Sequence, residues 1–94
     1  MRIRWLTLAL LDMEHVGEYI RQENPGASER VIGRIEAVID HLANHPGMGR
    51  QGSRPGTREL ILSDLPYRIV YRVRGDEVQI LRVYHVKRKW FSTH

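Results

Sequence analysis

The 94-residue chain contains no cysteine. A disulfide staple and a thiolate zinc centre are therefore excluded, and a domain this small must hold itself together by packing alone, as suits a reducing cytoplasm. Long apolar runs are also missing. Nothing approaches the roughly 18–20 residues needed to cross a bilayer. The start, Met1-Arg2-Ile3-Arg4 followed by Trp5 to Leu11, has the outline of a charged region and a short apolar region, but Asp12 and Glu14 end it and no small-residue cleavage pattern follows. The expected location is the cytoplasm. No GxGxxG, Walker or Gly-x-Ser-x-Gly pattern occurs, which removes nucleotide-binding enzymes and serine hydrolases. The five histidines are scattered, and only His41 and His45 share a helical spacing, with no Cys or acidic residue placed to join them. No metal and no cofactor are expected.

The chain is 41% apolar and 28% charged, an ordinary globular balance. Its length predicts a single domain over residues 1–94, hiding roughly 60–70% of the unfolded surface. Basic residues are concentrated in one half. Residues 1–46 carry −2 and residues 47–94 carry +6, and thirteen of the fifteen basic residues are Arg, whose planar fork pairs with phosphate or carboxylate through two bonds at once. Such a balance suits an acidic or polyanionic partner.

Hydrophobic periodicity predicts an α+β fold in one sheet. Ile3, Trp5 and Thr7 alternate, which predicts a first strand over Arg2 to Leu8. Ala9, Met13, Val16 and Ile20 then recur at spacings of three and four, predicting an amphipathic helix that ends near Gln22. Asn24-Pro25 supplies a capping oxygen and a first-turn proline for a second helix with its stripe at Ala27, Val31, Ile35, Val38 and Leu42. A connection this short makes the helices an antiparallel hairpin. Pro46 stops the second helix, and residues 45–57, with four Gly and two Pro, form the long loop. Three strand-like runs follow: Thr57 to Leu62, Tyr67 to Arg74 and Glu77 to Tyr84. The last two are joined by the hairpin signal Gly75-Asp76, and the three predict an antiparallel meander. In the middle run Tyr67, Ile69, Tyr71 and Val73 alternate with Arg68, Val70, Arg72 and Arg74. One face is thus expected on the helices and the other presents arginines.

Just beyond the last strand, Tyr84, His85, Lys87, Arg88, Lys89 and Trp90 gather an imidazole, three cations and two aromatics. A cluster of this kind can bind phosphate, stack a base or move a proton. The bland reading is a basic tail covering the sheet edge.

Asn24-Pro25, Gly49-Arg50, Pro55-Gly56-Thr57-Arg58-Glu59-Leu60, Tyr67-Arg68-Ile69-Val70-Tyr71-Arg72 and Ile80-Leu81-Arg82-Val83-Tyr84-His85 occur here in an order and spacing that resemble the RelE/ParE family of bacterial toxins. The resemblance covers nearly the whole chain and implies two helices packed on an antiparallel sheet. It also implies one of two activities. ParE-like members poison DNA gyrase and so block replication, while RelE-like members are ribosome-dependent endoribonucleases that cut mRNA. By resemblance Arg68 and Arg88 fall on catalytic arginines of the RelE pattern, and His85 stands where some nuclease members use a histidine. Against nuclease action, Glu59 and Ile61 replace paired lysines of RelE, and its C-terminal tyrosine falls on His94. A carboxylate at 59 would repel the scissile phosphate. The strand ending Arg-Val-Tyr-His and the Asn-Pro helix start look more like the ParE branch.

The resemblance further implies an antitoxin whose disordered C-terminal segment wraps the toxin. Trp5, Leu8 and Leu11 are expected to receive its apolar side chains, and Arg58, Arg68, Arg72 and Arg82 its carboxylates. Residues 84–90 are then the surface expected to meet the target. A third class, a non-toxic basic module that binds nucleic acid, would need exposed aromatics to stack bases.

Overall fold

A computed structural model describes residues 1–87. The elements run β1 (Arg2–Trp5), α1 (Thr7–Glu23), a 3-10 turn (Pro25–Ala27), α2 (Ser28–Leu42), β2 (Arg50–Gln51), β3 (Arg58–Ile61), β4 (Tyr67–Arg74) and β5 (Glu77–His85). The five strands form one sheet in the order β1-β5-β4-β3-β2. The α+β class and the antiparallel meander of β3, β4 and β5 are as expected. The sheet is nevertheless mixed, because β1 lies parallel to β5, with Arg2 opposite Glu77 and Trp5 opposite Ile80.

Apart from shifts of a residue or so at other element ends, three features differ from the sequence reading. The first strand ends at Trp5, not Leu8. Leu6 keeps an extended backbone (φ −83°, ψ 164°) and its carbonyl accepts the first helical bond from the Leu10 N–H at 3.1 Å, so α1 starts at Thr7. Asn24 does not cap α2. Its side chain makes no capping bond, Pro25 opens a single 3-10 turn, and α2 begins at Ser28. The long loop contains the two-residue strand β2, held against β3 by the pairs Arg50–Glu59 and Gln51–Arg58.

The core lies between the helical hairpin and one sheet face. Ala9 and Val16 of α1 and Ile35, Ile39 and Leu42 of α2 are fully buried against Ile69 and Tyr71 of β4 and Val78, Ile80 and Val83 of β5. Burial of this apolar surface, at about 25 cal/mol per Å2, is the main driving term. The alternation expected on β4 holds for Tyr67, Ile69 and Tyr71, which are buried, while Val73 at the strand end is exposed. Ser28 joins the two helices, donating its hydroxyl to the Gly17 carbonyl at 3.3 Å.

Two glycines are dictated by geometry. Gly75 takes φ +57° at the first position of the β4–β5 turn, as a II′-type hairpin requires. Gly49 approaches Tyr71 so closely that a Cβ would stand 2.7 Å from the phenol oxygen and 2.9 Å from the Glu59 carbonyl. That approach lets the Tyr71 hydroxyl accept the Gly49 N–H at 2.8 Å and donate to the Pro46 carbonyl at 2.7 Å, pinning the long loop to the core.

Candidate functional site: a basic groove on the open sheet face

The outer face of the sheet owes its chemistry to a bulge in β5. Tyr71 pairs with Ile80 and Val70 with Arg82, which leaves Leu81 as an extra residue. One extra residue reverses the inside–outside phase. Val78 and Ile80 before it and Val83 after it therefore all face the core, and Arg82 and Tyr84 emerge beside Val70 and Arg68. Together with Glu59 of β3, Leu8 at the start of α1, Ser53 and Arg54 of the loop, and His85 and Lys87, they line a groove of about 710 Å3.

Two cations in this groove, Arg82 and Arg68, have internal partners. Arg82 donates two bonds to the Asp12 carboxylate, Nε to Oδ2 at 2.8 Å and Nη2 to Oδ1 at 2.9 Å. Asp12 Oδ2 also accepts the Val83 backbone N–H at 2.8 Å, satisfying a strand edge beyond the end of the β1 pairing. Asp12 is 2% exposed, and hydrogen bonding to it raises the Arg82 pKa above its ordinary value, against the opposing effect of burial. The guanidinium carbons of Arg82 and Arg68 stand 4.8 and 5.0 Å from the centroid of the Tyr84 ring, within cation–π range. Arg68 Nε lies 3.8 Å from Glu59 Oε1, an ion pair too long for a hydrogen bond, and this buried nitrogen has no hydrogen-bond partner. The second Glu59 oxygen accepts the Ser53 N–H at 3.3 Å. His85 accepts the Lys87 N–H at Nδ1, 3.0 Å away, and sets its ring edge-on to Tyr67 at 5.2 Å.

The structure distributes the residues singled out in the sequence unevenly. Leu8, Arg68, Arg82, Tyr84, His85 and Lys87 converge on the groove. Trp5 is half-buried against the core, and Leu11 is an exposed residue of α1. Arg58 donates to the Gly49 carbonyl at 2.7 Å and so braces the loop, whereas Arg72 donates to Gln79 Oε1 at 2.7 Å. Arg88, Lys89, Trp90 and His94 lie outside the described residues. Tyr67 and Tyr71 are 3% and 0% exposed, so β4 offers no aromatic platform for base stacking. His41 and His45 stack with ring centroids 4.3 Å apart, and among the described residues no group of three or more metal-ligating side chains forms.

The main residue missed by the sequence reading is Asp12. Its position three after Ala9 and four before Val16 places a carboxylate on the buried stripe of α1, which requires a partner. Among the described residues no helix is long and apolar enough to cross a membrane.

A helical hairpin thus covers one face of a mixed sheet, and the other face carries an arginine-lined groove. The model of the ParE toxin of type II toxin–antitoxin systems matches residues 3–90. The chain is 45% identical to the putative toxin Y4kP of Sinorhizobium fredii over 95% of its length and 92% of that protein. It is 34% identical to Toxin RelE2 of Caulobacter vibrioides, covering 93% of this chain and 97% of the relative. Among solved structures, the chromosomal ParDE system from P. aeruginosa superposes with a TM-score of 0.84 at 28% identity, over 93% of this chain and 97% of that one. The isolated E. coli RelE toxin shares the fold, with a TM-score of 0.66 at 16% identity over 93% of this chain and 85% of that one. The chain belongs to the ParE toxin family of type II toxin–antitoxin systems.

Proposed function

We propose that this toxin acts in the ParE manner, poisoning DNA gyrase through a protein–protein contact and blocking replication until a cognate antitoxin neutralises it. The observation that carries this reading is the internal pairing of the groove. Arg68 faces Glu59 and Arg82 is closed onto Asp12, so neither stands ready to stabilise the charge that develops on a scissile phosphate. The match to the ParE toxin model and the likeness to a ParDE structure support the same reading. Membership of a toxin family of type II toxin–antitoxin systems and the likeness to a ParDE structure support an antitoxin partner, and the basic half suits an acidic wrapping segment. The test is a supercoiling assay with purified chain and gyrase. Accumulation of double-strand-cleaved plasmid, abolished by antitoxin, is the expected result. Intact supercoiling activity with folded toxin would refute it.

A second reading has its own support. The relative named RelE2 spans nearly the whole chain, and Arg68 and His85 line one groove. On this reading the toxin is a ribosome-dependent mRNA endonuclease in which Arg68, His85 and Arg88 are catalytic. Cleaved mRNA on translating ribosomes, lost in Arg68→Ala and His85→Ala, would establish it.

A further inference from the structure

The charge of the groove is smaller than its composition suggests. Its described lining holds four Arg or Lys side chains, Arg54, Arg68, Arg82 and Lys87. Arg82 is neutralised by Asp12 and Arg68 faces Glu59, while Arg54 and Lys87 have no ion pair among the described residues. Removing Glu59 alone would release a third cation onto the groove wall.

Glu59 is also fixed in place. Its side chain is 13% exposed, β3 holds its backbone between β2 and β4, and one carboxylate oxygen is held by the Ser53 N–H. A phosphate that reached Arg68 would therefore come within a few ångströms of a carboxylate unable to swing away, where like charges repel. The phosphodiester groups of a nucleic acid strand carry only acceptors and negative charge, so they have nothing to offer Glu59. A polypeptide backbone differs. It can donate an N–H to the Glu59 carboxylate and place a carbonyl oxygen against the exposed part of the Arg68 guanidinium, whose side chain is 38% exposed.

We infer that Glu59 is the specificity-determining residue of the groove, a fixed carboxylate that excludes a phosphodiester strand and reserves the site for a polypeptide. This rests on the reading that the toxin's target is a protein. Its test is independent of gyrase.

The probe is a fluorescein-labelled 12-nucleotide oligouridylate, titrated with the full chain by anisotropy at several salt concentrations. Three proteins are compared: the natural chain, Glu59→Gln, and Asp76→Asn. The last removes the same single negative charge at the β4–β5 turn, the far end of the ladder from His85. Glu59→Gln is expected to tighten oligouridylate binding by roughly 5- to 10-fold at low salt and to steepen the logarithmic salt slope by about 1, because one further cation meets a phosphate. Asp76→Asn is expected to change binding by less than about 2-fold. Should Glu59→Gln fail to fold, as judged by circular dichroism, Glu59→Ala removes the same carboxylate and must give the same order. Unchanged binding in the Glu59 variants overturns the inference, as does an equal gain in Asp76→Asn, which would reduce the effect to net charge. Either result leaves the gyrase assay to be judged separately.

Discussion

Asp12, in the second turn of α1, grips Arg82, 70 residues later in β5, through two hydrogen bonds of 2.8 and 2.9 Å, and accepts the Val83 N–H with the same carboxylate. This contact ties the helical hairpin to the strand end that builds the groove. Removing one member of a buried pair leaves the other uncompensated, at a cost of about 3–5 kcal/mol. Arg82 is partly exposed, so the lower end of that range applies. Asp12→Ala is expected to lose about 3 kcal/mol in urea unfolding, and Asp12→Asn somewhat less, since the amide keeps one acceptor. A loss under about 1 kcal/mol in Asp12→Ala would show that the pair does not brace the fold.

The loop anchor at Tyr71 gives a second expectation. Tyr71→Phe removes both the acceptor of the Gly49 N–H and the donor to the Pro46 carbonyl, for a loss of about 1–3 kcal/mol. Gly49→Ala must push the Tyr71 ring or the β3 backbone aside and is expected to cost at least as much. Faster hydrogen exchange across residues 46–51 in both variants, with helix exchange unchanged, is the accompanying signature. Uniform loss of protection across the chain would contradict it.

Acid stability carries a smaller signal. The Arg34 guanidinium, 2.8 Å from Asp64, holds that carboxyl below its ordinary value of 3.8. A carboxyl depressed in the folded state stabilises the protein above its unfolded pKa and loses that contribution as pH falls through the folded value. Asp64→Asn is therefore expected to lower the thermal midpoint slightly at neutral pH, with the difference shrinking as the pH falls below 3.8. Both groups are exposed, so the neutral-pH effect is small. A difference between the two proteins that grows toward pH 2 would refute this assignment.

Antitoxin binding should report the arginine face. The double substitution Arg68→Ala and Arg72→Ala is expected to weaken antitoxin affinity several-fold at low salt and to flatten its salt dependence. Unchanged affinity and slope would place the acidic segment elsewhere.

Much of the fold is legible in the residues because local chemistry decides it. Strict alternation from Tyr67 to Arg74 marks β4 to the residue, and Gly75-Asp76 marks its turn. What escaped depends on distant partners. The parallel seat of β1 on β5 has no local signature, and β2 exists only because Arg50 and Gln51 find β3. The bulge at Leu81 shifts the phase of β5, so no single period describes Glu77 to His85, yet that shift brings Arg82 and Tyr84 to the groove. Asp12 escaped because Ala9, Met13, Val16 and Ile20 set the helix face without it, and nothing local says which of thirteen arginines it meets. The Glu59–Arg68 pair was half visible, because the family resemblance marks the carboxylate as out of keeping with a nuclease and only the pairing of β3 with β4 makes the two neighbours.

The most direct test of the central claim is made in growing cells. After induction of the toxin without antitoxin, incorporation of labelled thymidine and of labelled amino acids is followed minute by minute. A toxin acting on gyrase arrests thymidine incorporation first and leaves protein synthesis running for a further interval. Immediate arrest of amino-acid incorporation, with DNA synthesis continuing, would contradict the account and transfer the groove to the ribosome-dependent reading.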